Sequence, residues 1–277
     1  MIRNILVGYG GSRGAQVALS QAIQIAQASG GRIRLALVED VADSAAEVGL
    51  VADRSLEQTV LAAAEERSEV EPDSLGPSPA LEEAALRCQT EGVACSLTRS
   101  YGNVAQRLLG LSRLADLVVV GRRGEGSRYR RSVLGRNARR LAAGATTPTL
   151  FADRDYLSIR SATLYYEPRP AGGHALSRVA EICSLLNVDL NVVSVSFGNI
   201  DAPAAEVEAR QALRAYHVEG EFITGGAAGP EALQNAALLW GDPLLVVPAP
   251  APRALFPDYS VLRAAMATPN TNVLLVP

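Results

Sequence analysis

The sequence predicts an α/β fold built as two tandem, doubly wound, five-stranded, mainly parallel sheet domains. Two observations lead there. Strand-length apolar runs alternate with helix-patterned stretches through all 277 residues. Landmarks also recur at an offset near 126: Asp116-Leu-Val-Val-Val before Gly121 answers Asp242-Pro-Leu-Leu-Val-Val before Pro248, and Ala145-Thr-Thr-Pro148 answers Ala267-Thr-Pro269. A repeat this long denotes a duplicated domain, not a solenoid. The short polar stretch Arg154–Ser158 separates a closing from an opening strand and divides the chain into 1–154 and 155–277.

In the first half, Arg3–Tyr9 reads as a strand, and Ser12 as the N-cap of a helix over Arg13–Ser29, with Val17, Ala18, Ala22, Ile23, Ile25 and Ala26 roughly on one face. Gly30-Gly31 ends that helix and Arg32–Val38 is the second strand, so a right-handed parallel crossover is expected. Residues 40–80 are acidic and alanine-rich, broken by Pro72, Pro77 and Pro79; they read as a surface arm or lid with helices near 55–70 and 80–91. Then come a strand Val93–Thr98, a helix Asn103–Leu114, a strand Asp116–Val120, a Gly/Arg loop, a helix from about Gly135 to Ala143 and a strand Pro148–Ala152.

The second half repeats the order. Strands are expected at Arg160–Tyr166, Asp189–Phe197, Val218–Thr224, Leu244–Val247 and Asn272–Val276. Helices are expected at His174–Asn187, Pro203–Ala215, Pro230–Trp240 and Ser260–Met266.

Composition removes several classes of function. The longest apolar runs are strand-length, far below the roughly 20 residues of a membrane span. Met1-Ile-Arg-Asn-Ile-Leu-Val enters a strand without a signal-peptide layout, so a cytoplasmic protein is expected. Cys88, Cys95 and Cys183 have no pairing or zinc-ligand spacing and read as small buried hydrophobes. His174 and His217 stand in no metal-ligand motif. Lysine is absent, which excludes both a Walker-type P-loop and lysine Schiff-base chemistry. The net charge of −3 argues against general nucleic-acid binding, although the first half is +2 and the second −5. The positive excess is local: Gly121–Arg140 holds eight arginines and a single acid, Glu125.

That segment carries the chemistry. In a parallel α/β sheet, ligands bind beyond the carboxyl ends of the strands, where Gly121 stands. Gly121, Gly124 and Gly126 permit close backbone approach to an anion, and the helix opening near Gly135 points free N–H groups and its positive dipole end toward it. Arginines such as Arg122 and Arg136 add forked contacts to phosphate oxygens. The alternative is a solvated loop whose arginines only decorate the surface.

Gly121-x2-Gly124, then ten residues, then Gly135-Arg136, set between the fourth strand and a helix, resembles the universal stress protein family. Nucleotide-binding members of that family carry Gly-x2-Gly-x9-Gly-(Ser/Thr) there. The resemblance covers both halves in element order and implies Rossmann-like, adenine-nucleotide-binding domains packed as a pseudo-dimer. It implies an ATP-like ligand near Gly10, Val38, Gly121, Arg122, Gly124, Gly126, Gly135, Arg136 and Asn137. Three departures qualify the match. The spacer is one residue longer, Arg136 replaces the small hydroxyl residue, and Gly10 stands where the family's first strand ends in Asp. An arginine neutralises phosphate charge without a metal, so magnesium is not indicated.

In the second half the corresponding loop is Pro248-Ala-Pro-Ala-Pro252-Arg253, poor in N–H donors, and no ligand is expected there. The expected function is a stress-related regulatory protein binding one adenine nucleotide in its first half and acting on a protein partner whose identity the sequence leaves open, as it does further homodimerisation. The competing reading is a ligand-free tandem scaffold of the same fold. With no Ser/His/Asp or Cys/His set near the loop, catalysis is not expected.

Overall fold

The computed structural model describes residues 2–39, 78–123, 135–155, 158–250 and 259–277. The chain forms one ten-stranded sheet in the order β3-β2-β1-β4-β5-β10-β9-β6-β7-β8. The first-half strands are β1 (Asn4–Gly8), β2 (Arg32–Glu39), β3 (Cys95–Tyr101), β4 (Leu117–Gly121) and β5 (Thr149–Ala152). The second-half strands are β6 (Ser161–Tyr166), β7 (Asp189–Ser196), β8 (Phe222–Ala227), β9 (Leu244–Pro248) and β10 (Asn272–Val276). Within each half every pairing is parallel. The two fifth strands join antiparallel, with Leu274 opposite Leu150 and Val273 opposite Phe151.

Strands buried on both faces need near-continuous apolar sequence. Leu117-Val-Val-Val120 and Leu244-Leu-Val-Val247 supply it, and all are buried. Helices cover both sides. On one lie α1 (Arg13–Ser29), α2 (Pro79–Thr90), α5 (Pro170–Leu186) and α6 (Ala202–Leu213). On the other lie α3 (Val104–Ser112), α4 (Arg136–Gly144), α7 (Pro230–Trp240) and α8 (Ser260–Ala267). Each hydrophobic cluster runs through both halves, so the seam is part of the core. Ala15, Ala18, Ala22 and Ala26, spaced by three and four residues, give α1 the small buried stripe that lets it lie close on the sheet. Gln24 of α1 also holds the join between the halves, donating to the Ile159 carbonyl at 3.2 Å and accepting from its N–H at 3.3 Å.

Several boundaries differ from expectation. β3 starts two residues later than Val93 and ends at Tyr101, and β8 is Phe222–Ala227, not Val218–Thr224. α5 begins at Pro170 instead of His174, because proline at the first helical position sacrifices an N–H that no helix bond needs. Cys88 and Cys183 are buried while Cys95 is only partly so, and all three are free thiols. Burial pushes the Cys183 thiol up to about 12. The helix expected near 55–70, and most of the acidic arm, lie outside the described residues. Among the described residues no helix is long and apolar enough to cross a membrane.

This topology fixes where a ligand can sit. In the first half the chain runs outward from β1 through β2 to β3, then returns to the other side of β1 for β4 and β5. The crevice at that switch point opens between the carboxyl ends of β1 and β4. The antiparallel seam sets the second half's switch point, between β6 and β9, on the opposite edge of the sheet.

Candidate functional site

The crevice floor is made of backbone. A Cβ on Gly121 would lie 2.8 Å from the Gly14 carbonyl carbon, and one on Gly14 would lie 2.8 Å from the Arg123 carbonyl oxygen. Both approaches are closer than side chains allow, so this pair of glycines brings the first turn of α1 directly onto the end of β4. The amino-acid pattern alone leaves Gly14 out of the site; the Gly10-Gly-Ser-Arg-Gly14 run opening α1 is the signal that points to it. Ser12 caps α1 by accepting from the Ala15 N–H at 3.2 Å. Gly11, at φ +75°, makes the turn that brings Ser12 into place.

The Gly/Arg loop leaves and returns at one point. The Gly135 N–H donates to the Arg122 carbonyl at 2.9 Å, pinning the start of α4 beside the end of β4. Gly135 is the N-cap of α4, and among the described residues no side chain caps the helix. The first-turn N–H groups, on Arg136 and Asn137 among others, thus stand at the carboxyl edge of β4 without a side-chain cap among the described residues. By contrast Ser12, Ser78 and Asn103 cap α1, α2 and α3. Arg136, Arg139 and Arg140 are exposed along α4, whose opposite face buries Ala138, Leu141 and Ala142.

Gly10 is exposed, and a Cβ there would meet nothing within 4 Å. Val38 is half-buried near the end of β2, against the cluster on the α3 and α4 side, and pairs in register with Ser100. The Ser100 hydroxyl is buried with no hydrogen-bond partner among the described residues. Glu39, next along β2, is tied to Arg99 at 2.8 Å. Gly10, Val38, Gly121, Gly135, Arg136 and Asn137 thus lie along the carboxyl edge of β2, β1 and β4. Gly124 and Gly126 fall outside the described residues.

Arg122 departs from expectation. Instead of turning into the crevice, its side chain reaches across the seam into the second half, and the residue is 5% exposed. One terminal nitrogen donates to the Met266 carbonyl at 2.5 Å, at the end of α8. The other donates to the Thr271 carbonyl and lies 3.1 Å from the Asp153 carboxylate. Burial pushes the guanidinium below its ordinary value; Asp153 opposes that shift and Arg123 adds to it. A buried charge is stable only where acceptors surround it, and the last-turn carbonyls of a helix are ready-made acceptors. That is where Arg122 goes.

Known proteins share this architecture. A family model described as the universal stress protein family matches residues 1–152, which contain the whole crevice. The chain belongs to the universal stress protein family. A universal stress protein from Archaeoglobus fulgidus DSM 4304 aligns with 99% of this chain and 97% of its own, at 13% identity and a TM-score of 0.72. A putative universal stress protein from Pseudomonas aeruginosa UCBPP-PA14 aligns with 99% of this chain and 93% of its own, at 15% identity and a TM-score of 0.63. At such identities the likeness is one of fold, and it extends through both halves of this universal stress family chain. No curated protein matches it.

Proposed function

We propose that this protein is a stress-related regulatory protein that binds one adenine nucleotide, ATP-like, at the carboxyl edge of β1 and β4, and none in its second half. The observation that carries the reading is the closed mouth of the Gly/Arg loop. Gly14 packs on Gly121, and the Gly135 N–H reaches back to the Arg122 carbonyl, so the loop's two ends are held together beside a helix start without a side-chain cap. Such a mouth, with arginines along α4, suits phosphate oxygens. Val38 would line the base pocket beside Gly10. We assign the site no catalysis.

The scaffold reading has one observation in its favour: Arg122, one of the loop's arginines, is engaged by the second half. Denaturing fresh protein and assaying the supernatant for adenine nucleotides, followed by calorimetric titration of emptied protein with ATP, ADP and AMP, separates the two. Binding is expected, weakened by Gly124→Pro, which removes a loop N–H. No binding at millimolar nucleotide leaves the scaffold.

A further inference from the structure

Arg122 joins four separate segments. Its N–H donates to the Ala152 carbonyl at the end of β5, and its carbonyl takes the N–H of Gly135, the cap of α4. Its guanidinium holds the Met266 carbonyl at the end of α8 and the Thr271 carbonyl just before β10. Asp153 completes the enclosure: its carboxylate faces the guanidinium, and its N–H donates to the Asn272 side chain at 3.0 Å. The second-half partners of Arg122 are backbone carbonyls, so none can swing away as a side chain would. The same residue that closes the loop's mouth is therefore fastened to rigid parts of the other half.

The equivalent position in the second half shows what is specific here. Ala249 follows β9 as Arg122 follows β4, and its N–H donates to the Val276 carbonyl at 2.6 Å, as that of Arg122 donates to Ala152 at 2.9 Å. Ala249 has only a methyl group and cannot reach across the seam. The fastening runs one way, from the glycine-rich loop to the half with the proline-rich one.

We propose that Arg122 is a positioning residue through which the second half holds the Arg122–Gly135 contact at the start of α4, so that this contact and the 266–272 segment loosen together. The geometry stands without a ligand; only the consequence for affinity rests on the nucleotide reading above. Removing the guanidinium frees the Arg122 backbone to shift, and with it the carbonyl that holds Gly135.

The test is amide hydrogen exchange on the full, folded, nucleotide-free chain, comparing wild type, Arg122→Met and Arg122→Lys. For Arg122→Met, exchange should rise on the order of tenfold both in residues 266–272 and at the bonded Gly135 and Arg139 N–H groups that start α4, with β1 and β2 unchanged. Arg122→Lys, which keeps a donor, should recover part of the protection at both places. Faster exchange in 266–272 alone, with α4 as in wild type, overturns the proposal and leaves Arg122 as a seam contact only. Should Arg122→Met not fold, Asp153→Asn loosens the same fastening and must raise exchange at both places, to a smaller degree. ATP titration of the same variants is read separately. A weakened affinity in Arg122→Met supports the coupling. Absence of binding in the wild type overturns the nucleotide reading, while the exchange result still decides the role of Arg122.

Discussion

The two halves share a strand order and differ at their carboxyl edges. In the first, the carbonyl after the fourth strand takes the N–H of a helix cap, and the space between β1 and β4 is floored by two touching glycines. In the second, the matching carbonyl of Ala249 takes the Arg169 guanidinium at 3.1 Å. Arg169 is paired with Glu167 and stands 5.7 Å over the Phe197 ring. It is also the N-cap of α5, the place Ser12 holds on α1. An intramolecular cation thus occupies in the second half the carbonyl that closes the loop in the first. The lesson is that a duplicated fold can use the same backbone carbonyl for different contacts in its two copies while the sheet stays intact.

The acids that open the fourth strands offer the most severe test of that contrast. Asp242 is 4% exposed and accepts from Ser161, from Thr163 at 2.6 Å and from Asn191 at 2.9 Å. Asp242→Ala takes the acceptor from the buried Thr163 and Asn191 donors, and should cost about 3 kcal/mol in chemical denaturation. A cost no larger than that of Asp116→Ala would mean that the deeper burial of Asp242 adds nothing to its worth. Gly121→Val comes next: its Cβ must push into the backbone of Gly14, at about 1–3 kcal/mol with loss of nucleotide binding, whereas Pro248→Val at the matching position should leave binding unchanged.

Gly10→Asp restores the acid of the family pattern in open space, and should tighten ATP on the order of tenfold by calorimetry if a carboxylate there meets ribose hydroxyls. Weaker binding would place the ligand elsewhere. The smallest effect is at Asp116. Burial raises its carboxyl, but the N–H groups of Arg3 and Asn4, at 2.9 and 2.8 Å, outweigh this with Arg178 adding, and its pKa lies below the ordinary value. A depressed folded value means its stabilisation is complete above about pH 4 and is lost as the pH falls through the lower folded value. Asp116→Asn should cost about 1 kcal/mol at pH 7 and flatten stability against pH below about 4.

Much of the fold was legible because local chemistry and tertiary pairing agree. Ser12 and Gly30 bracket α1 as read, and the apolar run of β10 stands where the pattern places it. Legibility failed where glycine serves packing. The expected strand stops at Thr224, yet β8 runs on through Gly225-Gly-Ala227, with Ser196 opposite Ala227. Gly172 lies before the helix expected from His174, yet it is inside α5, at a place where a Cβ would strike the Glu167 carbonyl and only glycine fits. At the carboxyl edge, the strand order put Gly121 at the switch point as expected, while Gly124 and Gly126 lie outside the described residues. The fate of Arg122 was not legible, since its acceptors are carbonyls 144 and 149 residues away and nothing in a run of arginines marks the one that is buried. Arg169 gave no signal for the same reason.

The antiparallel meeting of β5 and β10 also fixes a stoichiometry. When such a seam joins separate subunits, dilution parts them and each must remain serviceable in exchange with others. Here the partner's effective concentration is set by the eight residues between Ala152 and Ser161, so dilution does not weaken the seam. A half that always meets the same partner is released from the need to work alone, and its carboxyl edge is free to diverge from that of the other.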